Sequence, residues 1–325
     1  NNNYVSCTIF DINGNITAIS KKFPKMSFLE NNNLYPRDLR NIDTSAVDIV
    51  PSIVIRKNCI LINLLYIKAI IQKNQVMIFD ISPTNQSSIS KLGLFMYDLE
   101  DLNKNYHQNY EFRVLETILI NIMSSLETEL NNHLKVSSSI LKDLENQIDR
   151  IKLKNLLINS KSLTAYYQKS LLIREVLDEL LENDEDLQKM YLSDNNNPNM
   201  ANSNENFTEI EMLIESYYKQ CDEFVQQAGS LISDIKSTEE IVNIILDANR
   251  NSLMLYELKL TIYTLGFTVA TTIPAFYGMN LKNFIEDSIY GFSSVVGISI
   301  LSAIGIVAIS FNKLRTVQKL TMMLG

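Results

Sequence analysis

Leu260 to Leu281 reads LTIYTLGFTVATTIPAFYGMNL and Tyr290 to Phe311 reads YGFSSVVGISILSAIGIVAISF, two runs of 22 residues, each without a charged side chain. As helices rising 1.5 Å per residue, each reaches about 33 Å, close to the roughly 30 Å of a bilayer's hydrocarbon core. A pair of buried core helices in a soluble protein satisfies the same length. Their placement back to back, with eight residues between them, favours a membrane hairpin. Lys313, Arg315 and Lys319 follow the second run with no acid among them, and Arg250 and Lys259 precede the first. The connecting loop, 282–289, is net acidic through Glu286 and Asp287. By the positive-inside rule both termini, with the bulk of the chain, are expected on the same side of the bilayer.

Working outward, Phe207 to Ala248 carries apolar residues at helical spacing (Ile210, Ile214, Tyr217, Phe224, Ala228, Leu231, Ile235, Ile241, Ile245), and no proline interrupts the pattern before Pro274. One helix of about 70 residues, roughly 100 Å long, is therefore expected to run from the soluble region into the first span. Such a helix is not stable alone and needs neighbours, as in a coiled coil. Upstream, Ser193 to Asn206 holds seven asparagines in fourteen residues together with Pro198, and reads as a solvated connector. Tyr110 to about Tyr191 is helical, with Val114, Ile118, Ile122, Leu126 and Leu130 on one face and Leu171, Leu172, Val176 and Leu180 on another.

Residues 1–104 read as a mixed head. Asn13-Gly14 between two β-rich runs predicts a hairpin with a type I′ turn. AVDIVPSIVIRKNCILINL and QVMIFD supply further strands, the short IKAII is taken as helical, and a helix is expected from about Gln86. The organisation is thus an α/β head (1–104), a helical region with its asparagine-rich loop (105–206), a stalk helix (207–259), a first span (260–281), an acidic loop (282–289), a second span (290–311) and a basic tail (312–325). The fold class is α+β.

The 325 residues are 46% hydrophobic and 20% charged, enough for a core, and the net charge of -8 argues against a nucleic-acid partner, which needs a basic face. Two histidines and three cysteines (Cys7, Cys59, Cys221), with no C-x-x-C and no H-E-x-x-H, argue against zinc sites and a disulfide scaffold. The cysteines read as buried apolar residues. No nucleophile-base grouping and no G-x-x-x-x-G-K-[ST] sequence points to an enzyme or a nucleotide site. The chain opens on Asn1 rather than Met, as expected after removal of a targeting segment.

Along the first span a polar stripe recurs at helical spacing: Glu257, Thr261, Thr264, Thr268 and Thr271 or Thr272, continuing backward to Met254, Arg250 and Asp247. Threonine hydroxyls are satisfied by the helix's own carbonyls, so the stripe also suits helix packing. Ionisable residues on the same face favour a water-filled path or a partner. The acids Asp178, Glu179, Glu182, Asp184, Glu185 and Asp186, six in nine residues, read as a solvated face.

Tyr277-Gly278-Met279-Asn280 closes the first span. With FPKMSFLENNNLYPRDLRNID, NCILINLLYIKAII, LDANRNSLMLYELKLTIYTLGFTVA and PAFYGMNLKNFIE, it resembles the CorA-type magnesium channels, in the fungal form of their eukaryotic mitochondrial inner-membrane branch. The resemblance covers nearly the whole chain. It implies a funnel-shaped homopentamer whose first spans line one path and whose second spans form the outer ring, in the mitochondrial inner membrane with both termini in the matrix. Gly278, Met279 and Asn280 are implied at the mouth, where amide oxygens meet the water shell of a magnesium ion that dehydrates reluctantly. Met254 falls at the family's apolar constriction, and Arg250 and Asp247 at its charged rings. The resemblance implies magnesium as the transported ion and in a regulatory role, held between subunits of the soluble region, where the acidic run offers a surface. The partners implied are a lipid bilayer and further copies of the chain. A non-conducting subunit that co-assembles with a conducting paralogue is the other function class these features allow.

Overall fold

The computed structural model describes residues 4–38, 50–80, 86–100, 109–146, 149–193, 208–279 and 290–324. Two compact units divide the chain, 1–238 and 239–325.

The first unit opens on a six-stranded sheet: β1 (Tyr4–Asp11), β2 (Ile16–Pro24), β3 (Ser52–Arg56), β4 (Cys59–Leu64), β5 (Ile67–Gln72) and β6 (Gln75–Phe79), in the order β2-β1-β6-β5-β4-β3. Every neighbouring pair is antiparallel. All six residues of β4, CILINL, are buried, because the sheet has apolar cover on both faces. Ile60, Ile62 and Leu64 face the main core, whereas Cys59 and Leu61 face a smaller one closed by Phe28 and Leu29 of α1 (Lys25–Asn31).

Two local expectations are corrected here. The segment IKAII is strand β5, paired with β4 and β6. Five residues are too few for a helix, and the isoleucines suit a pleated surface with Ile67, Ala69 and Ile71 on one face and Ile70 on the other. The β1–β2 hairpin forms, but without a type I′ turn, which needs positive φ at both central residues. Only Gly14, at φ 77°, is left-handed, and the loop closes over Ile12–Asn15 through Gly14 N–H to Asp11 O and Asp11 N–H to Asn15 O, both 2.9 Å.

The described residues of this unit also form the helices α2 (Gln86–Glu100), α3 (Tyr110–Asn146), α4 (Arg150–Glu182) and α5 (Asp184–Lys189), together with the first part of α6 (Thr208–Tyr277). The expected α3 stripe, Val114 to Leu130, is wholly buried. Contacts between α3 and α4 run in opposite senses along the two helices: Tyr166 Oη donates to Leu126 O at 3.1 Å, and Asn159 Nδ2 donates to Ser137 Oγ at 2.6 Å. The helices are therefore antiparallel. On α4 the buried face is Leu163, Tyr166, Ser170, Ile173, Leu177 and Leu180, while Leu172 is exposed and Leu171 and Val176 are half-buried. A serine and a tyrosine on the core side disguise the stripe, and Tyr166 is tolerated there because its hydroxyl has a carbonyl partner.

All three cysteines are free and buried, as expected. Burial pushes the thiols up, Cys7 and Cys59 to about 11 and Cys221 to about 12. Such groups are inert packing residues at neutral pH. In the head, Arg56 Nη2 reaches the buried Asp38 at 2.6 Å.

The second unit holds the rest of α6 and α7 (Gly291–Leu324). The 70-residue helix is the one expected. Both α6 and α7 contain windows long and apolar enough to cross a membrane, with 11% and 6% of those windows buried. Large side chains such as Leu253, Phe267, Phe276, Phe292 and Leu301 are 69–76% exposed. Water does not favour such a surface, whereas lipid or further copies of the chain do. Ile241 and Ile245, expected at core spacing, are exposed at 56% and 40%.

Candidate functional site

Asp247, Arg250, Met254, Glu257, Thr261, Thr264, Thr268 and Thr271 follow one another along α6 in alternating steps of three and four residues, a 3.5-residue period. All eight are exposed. The 3.5 period holds them on one face when helices pack around a common axis.

Each threonine hydroxyl donates to a carbonyl of its own helix: Thr261 to Glu257 O (2.9 Å), Thr264 to Leu260 O (2.9 Å), Thr268 to Thr264 O (2.8 Å) and Thr271 to Thr268 O (2.9 Å). The donor is thereby satisfied within the span, and the oxygen keeps lone pairs directed off the helix. A file of such oxygens accepts hydrogen bonds from water. Among the described residues no ion pair joins Arg250 to Asp247, so the charges one turn apart both remain available on the surface.

The opposite face of α6 meets α7. Ile262 is 8% exposed and Gly266 is buried. A Cβ at Gly266 would lie 2.5 Å from Val307 Cγ2, so only glycine permits this approach. The rings of Tyr263 and Phe311 meet at 5.5 Å between centroids. Pro274, inside α6, has no N–H to give to the carbonyl four residues earlier, that of Ala270. Ser299 Oγ of α7 donates to that same carbonyl. Ser299 is 3% exposed, so a side chain of the second span replaces the backbone bond that Pro274 removes.

At the end of α6, Gly278 N–H donates to Pro274 O at 2.8 Å, and Met279 is exposed. Gly278 does not use a left-handed turn. An added Cβ there would lie 3.3 Å from Pro274 O, so its constraint is close approach. Asn280 and the loop acids Glu286 and Asp287 lie outside the described residues.

In the first unit, Glu179, Glu182, Asp184 and Glu185 of the acidic run are exposed, as a solvated face requires, and Asp178 and Asp186 are half-buried. Arg174 Nη1 pairs with Asp222 at 2.9 Å and is raised chiefly by that hydrogen bond, with Asp178 adding to the shift. Asp186 accepts from Asn183 Nδ2 at 2.9 Å, and Lys189 reaches both Glu185 and Asp186 at 3.4 and 3.3 Å. Among the described residues no group of three or more histidine, cysteine, aspartate or glutamate side chains is placed to hold a metal. Sequence reasoning missed Ser299 and Gly266. The available signal was a proline four residues after Ala270 facing a run rich in small residues.

A sheet-bearing head, long helices and two apolar C-terminal helices define the fold class of the CorA-type transporters. The CorA magnesium transporter from Methanocaldococcus jannaschii matches with a TM-score of 0.63, covering 96% of this chain and 97% of that one at 15% identity, a likeness of fold. The chain belongs to the MRS2-like magnesium transporter family, whose description, Magnesium transporter MRS2-like, matches residues 6–250. It is 64% identical over 330 residues to the mitochondrial inner membrane magnesium transporter MRS2 of Debaryomyces hansenii, covering 100% of this chain and 69% of that protein. It is 59% identical to the mitochondrial magnesium transporter MRS2 of Saccharomyces cerevisiae, covering 98% of this chain and 67% of that one.

Proposed function

We propose that this chain is the subunit of a magnesium channel of the mitochondrial inner membrane, a homopentamer in which the first span of each copy lines a central path. The observation that carries the reading is the 3.5-residue stripe, exposed on the side of α6 away from α7. Five copies around an axis turn each stripe position into a ring. Threonine oxygens at 261, 264, 268 and 271 accept hydrogen bonds from the water shell of an ion, which suits magnesium because it keeps its waters. Met254 forms an apolar ring that gates by dewetting, and Arg250 raises a barrier that the Asp247 ring, one turn away, partly offsets. Glu257 draws cations to the span. Gly278, Met279 and Asn280 form the mouth, with Glu286 and Asp287 concentrating cations beside it.

The membrane potential drives entry without a nucleotide. It supplies about 2.3 kcal/mol per charge per 100 mV, hence about 4.6 kcal/mol for a divalent ion. Both termini lie on the matrix side in this reading, which the basic residues Lys313, Arg315 and Lys319 after the second apolar run support. The acidic run near Asp178–Asp186 is a matrix-side surface at which magnesium regulates opening.

Cysteine accessibility tests the stripe. Thr264→Cys and Thr271→Cys are expected to react with a charged, water-borne thiol reagent and to lose ion flux on reaction, while Phe267→Cys is not. Equal reactivity at all three positions, with flux unaffected, contradicts a path along this face.

A further inference from the structure

The polar stripe of α6 is bordered on both sides by apolar side chains that recur every seven residues. Leu246, Leu253, Leu260 and Phe267 form one flank. Ile244, Leu258 and Leu265, with Asn251 in their series, form the other. At 3.5 residues per turn the flanks lie about 77° to either side of the midline of the stripe. Because α7 packs on the opposite side, at Ile262 and Gly266, both flanks stay open, and their seven apolar residues are 44–74% exposed.

Ile244 to Leu253 precede the uncharged run, which starts at Leu260, by about 10 to 24 Å of helix, where no hydrocarbon reaches. Lipid therefore leaves the first half of each flank in water, which does not favour it. The same seven-residue register continues into the span, and lipid imposes no such period, whereas helices wound about one another do. A two-fold partner presses one flank on its own counterpart and leaves the other bare. A head-to-tail contact of one flank on the other uses both and closes into a ring. The two surfaces also match in shape. A cleft of about 400 Å³ adjoins Phe267, with Gly266, Ala270 and Ala303 in its lining. Leu265 of the other flank stands within one residue, about 1.5 Å, of that level, so a neighbour at the same height offers a knob to this hole.

We propose that copies of this chain close flank to flank, Leu246, Leu253, Leu260 and Phe267 of one on Ile244, Leu258 and Leu265 of the next, and that Asn251 leaves this seam weakest beside Arg250 and Met254. The inference rests on the reading of α6 as the lining of a shared path, and it names the contact that builds the wall. Asn251 is the single polar residue in the two flanks from 244 to 267. A polar side chain within an apolar helix seam lowers its stability, so the wall is loosest at the level of the Met254 ring.

The test uses the full chain in liposomes and a short, membrane-permeable bismaleimide. The three native cysteines are free but buried, so they stay silent. Two double variants carry one thiol on each flank, Ile244→Cys with Leu246→Cys before the span and Leu265→Cys with Phe267→Cys within it. Residues two apart on one helix do not face each other, so adducts join different copies. Both double variants are expected to give a ladder of cross-linked species up to the closed oligomer, and each single variant none. An intact oligomer without adducts in either double variant overturns the seam, as do adducts in the single variants, which report a two-fold contact. A chain that stays monomeric overturns the shared path itself, which separates that failure from failure of the seam alone. Exchange of subunits between separately labelled oligomers tests Asn251. Asn251→Leu is expected to slow exchange severalfold and Leu258→Ala to speed it. Exchange unchanged or faster in Asn251→Leu overturns the weak point.

Discussion

Ser299→Ala removes the hydroxyl that satisfies the Ala270 carbonyl left open by Pro274. A buried carbonyl without a partner costs about 1–3 kcal/mol in water-soluble proteins. In membranes the measured couplings are smaller, about 0.6 on average and about 1.7 at most. With Ser299 only 3% exposed, no water replaces it, so a destabilisation of about 1 kcal/mol is expected, a fivefold change in equilibrium. The specific claim concerns the pair. In a Pro274→Ala background the new N–H at 274 closes the α-helical bond to Ala270, and Ser299→Ala then costs almost nothing. A double-mutant cycle read by reversible unfolding of the detergent-solubilised chain should therefore give a coupling of about 1 kcal/mol between Pro274 and Ser299, which meet through the Ala270 carbonyl. If Ser299→Ala costs the same with and without Pro274, the hydroxyl is not the replacement donor and the reasoning fails.

Gly266→Ala places a Cβ 2.5 Å from the stiff Val307, so about 1–3 kcal/mol of overpacking is expected, relieved by Val307→Ala in the same thermal assay. Met254 is 58% exposed, and its truncation to alanine should leave stability unchanged while raising magnesium current several-fold; a fall in both would place Met254 in packing instead. Burial works to raise Asp38, but the hydrogen bond and charge of Arg56 outweigh it and hold its carboxyl below the unfolded value of 3.8. The pair's contribution is therefore complete above about pH 4 and lost as pH falls below that toward the folded value, and Asp38→Asn should abolish this part of the acid dependence seen by circular dichroism of the head.

The long helix and both spans were legible because their signals are long: an uninterrupted 3.6-residue pattern and two uncharged runs of 22 residues outlast local ambiguity. Short segments carried no such redundancy. IKAII reads equally as one turn of helix, and only pairing with β4 and β6 decides it. Asn13-Gly14 marks a hairpin correctly while leaving the loop length open, since one left-handed glycine serves a four-residue closure as well. On α4 the buried Tyr166 and Ser170 carry polar atoms that a hydrophobicity pattern scores as surface. The polar stripe was legible as spacing, but its orientation away from α7 required the contacts at Gly266 and Ser299, which join residues about 30 to 40 apart in sequence. The acidic run at Asp178–Asp186 was legible as a solvated face, with four of its six carboxylates exposed, while the contacts of Asp186 with Asn183 and Lys189 appear only in the fold.

The central claim, that this chain alone conducts magnesium along the stripe and through the mouth at residues 278–280, is tested most directly by flux into liposomes containing only the purified protein and a magnesium-sensitive dye. With an inside-negative potential of 100 mV, about 4.6 kcal/mol favours entry of each divalent ion, so uptake should accelerate steeply as the potential is imposed. Asn280→Ala, assembled to the same oligomer size, should lose most of that uptake. Potential-independent leakage, wild-type uptake in the Asn280→Ala oligomer, or no uptake at all by an intact oligomer would contradict the account, and the last would point to a subunit that conducts only alongside a paralogue.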